Sequence, residues 1–188
     1  LRKIGAMASM KLRGLFGRLG APSGRTDAAH FLDPAFQNKV FAQRERSMMY
    51  ALSDKYVKIM KAENAGVAAN KCQSDMLAYA EAYAERLMMQ KFIKAVNAQK
   101  DPEVKALLKD VCDLFAVQNL RKNGLWYVEN GLMKPSAATA LRRLERGLCE
   151  KIRPQAQTLV DAFGIPPEVL ACAPRPPQPQ TPPSPKNG

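Results

Sequence analysis

The stretch NKCQSDMLAYAEAYAERLMMQKF, from Asn70 to Phe92, decides the fold class. It is dense in Ala, Leu, Met and Glu, all good helix formers, and it contains neither Gly nor Pro. Leu77, Ala80, Ala84 and Leu87, with Met76, Tyr83 and Met88 beside them, recur at helical period and give a wide apolar stripe. The spacing predicts a long helix from about Val67 to Gln99 whose stripe faces a core.

Working outward, the same pattern repeats on both sides. Asp33-Pro34 is a helix start: the aspartate suits the N-cap, and proline at the first helical position loses an N–H that would be unpaired anyway. The helix that follows should reach about Glu63, with Val40, Phe41, Met48, Leu52, Tyr56 and Ile59 along one side and Asn64 to Gly66 as its break. Asp101-Pro102 repeats the start signal for a helix that carries Val104, Leu108, Val111 and Phe115 inward and stops at Asn123-Gly124. Trp126 and Tyr127 then sit in a short turn or helix that caps the bundle, and Asn130-Gly131 marks a turn. A further helix from Pro135-Ser136 points Leu141, Leu144, Leu148 and Ile152 inward. Pro154 should kink or split it, since it removes a helical hydrogen bond and clashes with the preceding turn. Leu159, Val160 and Phe163 should continue the apolar face to Gly164, and Pro166-Pro167 should open a last short turn. Short connections between long amphipathic helices predict an all-α, antiparallel helical bundle.

The two ends read differently. Residues 1 to about 33 carry six cations before the first acid, Asp27, and are interrupted by Gly5, Gly14, Gly17, Gly20, Pro22 and Gly24. They form a flexible basic leader, in which Met10 to Leu19 could make a short amphipathic turn. Such a segment is either an interdomain linker or a transit peptide. From Pro174 the chain reads PRPPQPQTPPSPKNG, which is expected to be an extended, disordered tail, solvated or read by a proline-binding domain. The domain proper then spans 34–173. The chain opens with Leu1, as a piece of a longer protein would.

Composition narrows the function. The 188 residues suit one domain, and 46% are apolar, enough to build a core. Uninterrupted apolar runs are too short for a membrane span. Cys72, Cys112, Cys149 and Cys172 lie far apart, and His30 is the lone histidine, which excludes the usual zinc and iron–sulfur spacings and leaves no metal ligands to name. Cys112 falls on an apolar helical stripe and is expected to be buried. The formal charge of +12, from 29 Lys and Arg against 17 Asp and Glu, favours anionic partners. No nucleic-acid-binding motif accompanies it, so no nucleic-acid partner is expected. No nucleophile elbow, Cys–His pair or glycine-rich phosphate loop occurs. The carboxylates Asp110, Asp113, Glu145 and Glu150 are expected on solvated helix faces, so no catalytic residue is assigned.

Three blocks read together carry a resemblance. They are Asn70 to Phe92 as quoted, LKDVCDLFAVQNLRKNGLWYVENGLM from Leu108 to Met133, and LCEKIRPQAQTLVDAFGIPPEVLACAP from Leu148 to Pro174. With AAHFLDPAFQNKVFAQRERSMM from Ala28 to Met49, they resemble, in order, the C-terminal domain of peroxisomal acyl-CoA oxidases. The resemblance implies a helical bundle like those of acyl-CoA oxidases and dehydrogenases, within an FAD enzyme of fatty-acid β-oxidation that converts acyl-CoA and O2 to trans-2-enoyl-CoA and H2O2. In that family a glutamate takes the α-proton while hydride passes from the β-carbon to the flavin. That glutamate lies in a tyrosine–glutamate–glycine motif, which this chain lacks, as it lacks the flavin-cradling β domain. The chain alone is therefore expected to hold no FAD, to be inactive, and to leave flavin-contacting residues unassigned. The resemblance further implies partners: the catalytic oxidase domains, a second subunit, and fatty acyl-CoA through the whole enzyme. One apolar face should be left exposed where those domains would sit. The alternative role is a non-catalytic interaction module derived from the same domain. Location follows as peroxisomal by analogy, although the chain ends Pro185-Lys186-Asn187-Gly188 rather than in a Ser-Lys-Leu type address; the basic leader makes the mitochondrion the alternative.

Overall fold

The computed structural model describes residues 27–166 and Val169. The leader before Asp27, most of the segment after Pro166, Cys172 and the proline-rich tail lie outside the described residues. Among the described residues every regular element is helical. A short strap, α1 (Ala28–Phe31), leads into α2 (Pro34–Met60); α3 (Ala65–Lys71) and α4 (Gln73–Ala98) follow. Then come α5 (Pro102–Lys122), α6 (Gly124–Glu129) and α7 (Ala137–Ile152). The chain divides after Ile152 into the bundle and a small C-terminal unit, which contains a 3-10 turn (Arg153–Gln155) and α8 (Ala156–Asp161).

The starts are made as the sequence dictates. The Asp33 carboxylate accepts from Ala35 N–H at 3.0 Å, and that of Asp101 accepts from Glu103 and Val104 N–H at 2.9 and 3.1 Å. Both precede a proline at the head of the helix. The α6 turn ends at Gly131, whose φ of 67° is the left-handed conformation that glycine adopts without strain. Leu132 and Met133 N–H there both donate to the Tyr127 carbonyl, at 2.8 and 3.2 Å.

The long helices form an antiparallel meander, α2 against α4, α4 against α5, and α5 against α7. Ion pairs register each crossing: Glu45 with Arg86 and Lys55 with Asp75 tie α2 to α4, and Lys151 with Asp110 ties α7 to α5. The core gathers Phe41, Met89, Val96, Cys112, Ala116, Val117, Leu120, Tyr127, Leu141 and Leu148. Phe31 of the strap joins it at 1% exposure, so the last residues assigned to the leader are helical and packed.

Several expectations are corrected. The helix expected from Val67 to Gln99 is broken at Cys72, whose backbone turns out of the helix (φ −102°, ψ 3°) and whose side chain is fully buried. The apolar stripe of α4 faces the other way. Leu77 is 66% exposed and Met88 55%, and Ala80 and Ala84 are exposed too, while Ala82, Glu85, Met89 and Val96 turn inward. Inward is decided by which helices lie alongside, and α4 has neighbours on its less apolar side. On α5 the buried seam is Cys112, Ala116, Val117 and Leu120; Leu108, Val111 and Phe115 flank it half-buried, and Val104 is exposed. On α2 Val40 and Phe41 are buried, whereas Met48, Leu52, Tyr56 and Ile59 are half-buried. On α7 Leu141, Leu148 and Ile152 are buried and Leu144 partly so, as the spacing predicts.

In the C-terminal unit, Pro154 interrupts the helix in the 3-10 turn, as its chemistry requires. Val160 and Phe163 are exposed instead of continuing a buried face. The chain turns at Gly164 (φ 60°), and Val169 N–H donates to the Pro166 carbonyl at 3.0 Å; Pro167, where the last turn was expected, lies outside the described residues.

Helix lengths are unequal. At about 1.5 Å per residue, the 27 residues of α2 and 26 of α4 outreach the 16 of α7. Between Glu45 and Met60 no side chain of α2 is buried, and none of α4 before Ala82. This part of α2 and α4 is an arm of two helices without a second layer, closed at its tip by α3 through buried Ala68 and Cys72.

Candidate functional site

Charged groups enter the bundle at two places. In the first, Arg44 of α2 meets Glu85 of α4, with side chains 5% and 10% exposed. Lys122 Nζ and Asn123 Nδ2 each reach Glu85 at 3.5 Å, and Lys122 also pairs with Glu81. The Lys122 ammonium holds the Glu81 carboxyl below its usual range and is itself raised by that partner. Nearby burial pushes the Tyr127 phenol up, so it stays neutral. Every carboxylate in this group is matched by a cation, which suits a structural clamp across three helices and leaves no free base.

In the second, Asp113 of α5 is 3% exposed. This corrects its expected place on a solvated face. Its carboxylate accepts from Gln37 Nε2 at 3.0 Å and from Lys109 Nζ at 2.5 Å. Gln37 Nε2 also donates to the Phe31 carbonyl at 3.0 Å, and Lys109 Nζ to that of Leu32 at 3.1 Å. These three side chains latch the strap onto α5 by satisfying carbonyls that the short α1 cannot.

The remaining carboxylates behave similarly. Asp110 pairs with Lys151 at 2.7 Å, Glu145 pairs with Arg121, and Glu150 is exposed. Asp110 and Glu145 are shielded more than expected, with side chains 13% and 20% exposed. Cys112 is buried as expected, and desolvation pushes its thiol up to about 11, far from a thiolate nucleophile. Cys72 is buried and Cys149 exposed. Among the described residues no group of three His, Cys, Asp or Glu side chains could hold a metal ion, and no helix is long and apolar enough to cross a membrane.

A cleft of about 490 Å3 opens between the strap, α5 and α7, over Leu32, Leu144, Leu148 and Gly147. Its rim mixes Asp27, Asp110 and Asp113 with Arg143 and Lys151. Lys151 and Asp110 neutralise each other, so the cleft has no concentrated positive field for phosphates. Neither the cleft nor a glycine-rich turn in the described residues makes a cradle for a dinucleotide.

The surface that stands out is the outer face of the long hairpin. On α4 it exposes Met76, Leu77, Tyr83, Leu87 and Met88, and on α2 it exposes Met49, Tyr50, Val57 and Met60. A face of this extent on two adjacent helices marks an interaction surface rather than isolated exposed residues. The sequence expectation of an uncovered apolar face is met here, on the stripe first read as core. The Arg44–Glu85 clamp was not anticipated, because the stripe expected to face the core left Glu85 off the inward side of α4.

A family model described as acyl-CoA oxidase matches residues 33–173. Peroxisomal acyl-coenzyme A oxidase 2 of Arabidopsis thaliana is 34% identical over 140 residues, which cover 74% of this chain and 20% of that protein. Among solved structures, acyl-CoA oxidase 1 from Yarrowia lipolytica superposes with a TM-score of 0.72 at 20% identity, covering 87% of this chain and 26% of that one. Acyl-CoA oxidase-1 of Caenorhabditis elegans, complexed with FAD and ATP, gives 0.67 at 21% identity, with 87% and 26% covered. These structures share the fold; the chain spans about a fifth to a quarter of the length of the relatives it matches.

Proposed function

The chain belongs to the acyl-CoA oxidase family, and from that premise we propose that it is the C-terminal helical domain of an FAD-dependent acyl-CoA oxidase, which packs on the catalytic domains and supports the dimer. The whole enzyme would convert acyl-CoA and O2 to trans-2-enoyl-CoA and H2O2. The flavin, when bound, supplies the hydride acceptor. This chain supplies neither base nor flavin cradle and on its own holds no FAD. Residues 34–173 are the domain, with the leader and the proline-rich tail as its flanking segments. A peroxisomal location follows from the Arabidopsis relative; the mitochondrial alternative finds no support there.

The observation that carries the reading is the uncovered apolar face of α2 and α4, taken with the large part of each relative that this chain, covering 20% and 26% of them, does not reach. Leu77, Leu87 and Met88 lie where a partner of that size could bury them, at roughly 25 cal/mol per Å2 of apolar surface. The paired interior charges have a complementary role, holding the helices in register so that the face keeps its shape.

The test is to co-express the chain with Arabidopsis acyl-CoA oxidase 2 truncated to remove the matching 140 residues. Co-purification with bound flavin, and acyl-CoA-dependent peroxide release absent from either part alone, is the expected result. A folded chain that never associates with the truncated enzyme would leave the alternative, an independent interaction module.

A further inference from the structure

Nine methionines occur in the chain; Met7 and Met10 lie outside the described residues, which leaves seven. They divide sharply. Met89 and Met133 are buried, at 0% and 9% exposure, and Met48 is half-buried. Met49, Met60, Met76 and Met88 are exposed, at 36%, 41%, 36% and 55%, and all four stand on α2 or α4. Met88 and Met89 are consecutive, about 100° apart around α4, yet one is exposed to solvent and the other is in the core. The rest of the apolar face is Leu, Val, Ala and Tyr, so its thioethers are its most readily oxidised groups.

A thioether reacts with a peroxide without help from neighbouring residues. The sulfur lone pair attacks one peroxide oxygen, an S–O bond forms as the O–O bond breaks, and water leaves. Sulfur is oxidised by two electrons, and the peroxide is reduced. The product sulfoxide is polar and chiral where an apolar, flexible side chain stood, a change that disrupts methionine-rich interfaces.

We propose that Met49, Met60, Met76 and Met88 form a hydrogen-peroxide-sensitive modification site, and that their conversion to sulfoxides weakens docking of the α2–α4 face. The fold survives because Met89 and Met133, which pack in the core, are shielded. The effect on docking rests on the function proposed above; the selective oxidation does not.

The experiment treats the purified chain with graded hydrogen peroxide and maps sulfoxides by peptide mass spectrometry. Met88 is expected to oxidise at least about tenfold faster than Met89, with unchanged helical circular dichroism at the point where the four exposed residues have reacted. Equal rates for Met88 and Met89 would overturn the site. The oxidised chain is then titrated against the truncated Arabidopsis enzyme, with an expected loss of affinity of about tenfold or more. In a variant carrying leucine at all four positions, docking should be the same before and after peroxide treatment, because leucine has no sulfur to oxidise. Undiminished docking of the fully oxidised chain would overturn the proposed consequence. Failure of the untreated chain to dock would instead refute the proposed function, while the Met88-to-Met89 rate ratio would still decide the modification site.

Discussion

Arg44 and Glu85, 41 positions apart in sequence, meet inside the bundle as an ion pair that is nearly closed to solvent. Their pairing sets the height of α2 against α4. An unpaired charge there would have no water to solvate it. Glu85→Gln or Arg44→Met alone is therefore expected to lower stability by about 3–5 kcal/mol in urea titration, whereas Arg44→Met with Glu85→Leu recovers most of the loss. A double variant as unstable as the sum of the singles would show that the two side chains do not couple, which would refute the orphaned-charge account.

Asp113 offers a separate handle on the strap. Asp113→Asn keeps the shape but removes the charge that holds Lys109 and Gln37 in place. A loss of about 1–3 kcal/mol is expected. Amide exchange of the Ala28–Leu32 segment should quicken more than that of α7, since that segment depends on the latch for its carbonyl partners. Uniform quickening across both segments would argue against a local role.

The two leucine sets should separate stability from assembly. Leu141→Ala, at a fully buried site, is expected to cost about 2–5 kcal/mol. Leu77→Asp, at 66% exposure, should change the urea midpoint by no more than about 0.5 kcal/mol equivalent. The same Leu77 change should abolish co-purification with the truncated oxidase. Intact association of that variant would mean that a different face docks.

Cys112 predicts an alkaline limit. Burial raises its thiol from the ordinary value of 9.0 to about 11, so the unfolded chain gives up this proton before the folded one does. Its contribution is complete below pH 9 and is lost as pH rises from 9 to 11, by about 2 kcal/mol at most. Tyr127, also raised by burial, acts in the same direction at higher pH. Denaturant midpoints between pH 8 and 10.5 should fall more steeply for the wild type than for Cys112→Ala. At pH 8, iodoacetamide should modify exposed Cys149 well before Cys112.

Most helix boundaries were legible because they depend on local chemistry; the break at Cys72, which makes no side-chain cap, was not. Asp33-Pro34, Asp101-Pro102, Asn123-Gly124 and Pro154 each act within one turn, and each acts where its residues stand. The α7 seam was legible as well, since Leu141, Leu148 and Ile152 repeat with charged residues on the opposite side. The side of α4 that turns inward was not. Both sides carry apolar residues, and Ala82, Met89 and Val96 are no more hydrophobic than Leu77, Leu87 and Met88; only the position of α2 and α5 selects between them. Asp113 was misjudged for a related reason, because Gln37, which donates to it, is 76 positions away in sequence. The absence of catalytic spacing was legible, whereas the apolar face became recognisable as a candidate site only once the core was known.

Most neighbours in this bundle are also neighbours along the chain. Each long helix packs on the next long helix, so the loops that must close are short and little chain entropy is lost in pairing them. Such low contact order favours rapid folding from adjacent hairpins. The contact of α1 with α7 is different, for it joins the first and last elements of the bundle. The strap meets α2 and α5 as well, but its seat against α7 can form only once the whole bundle between them has been made.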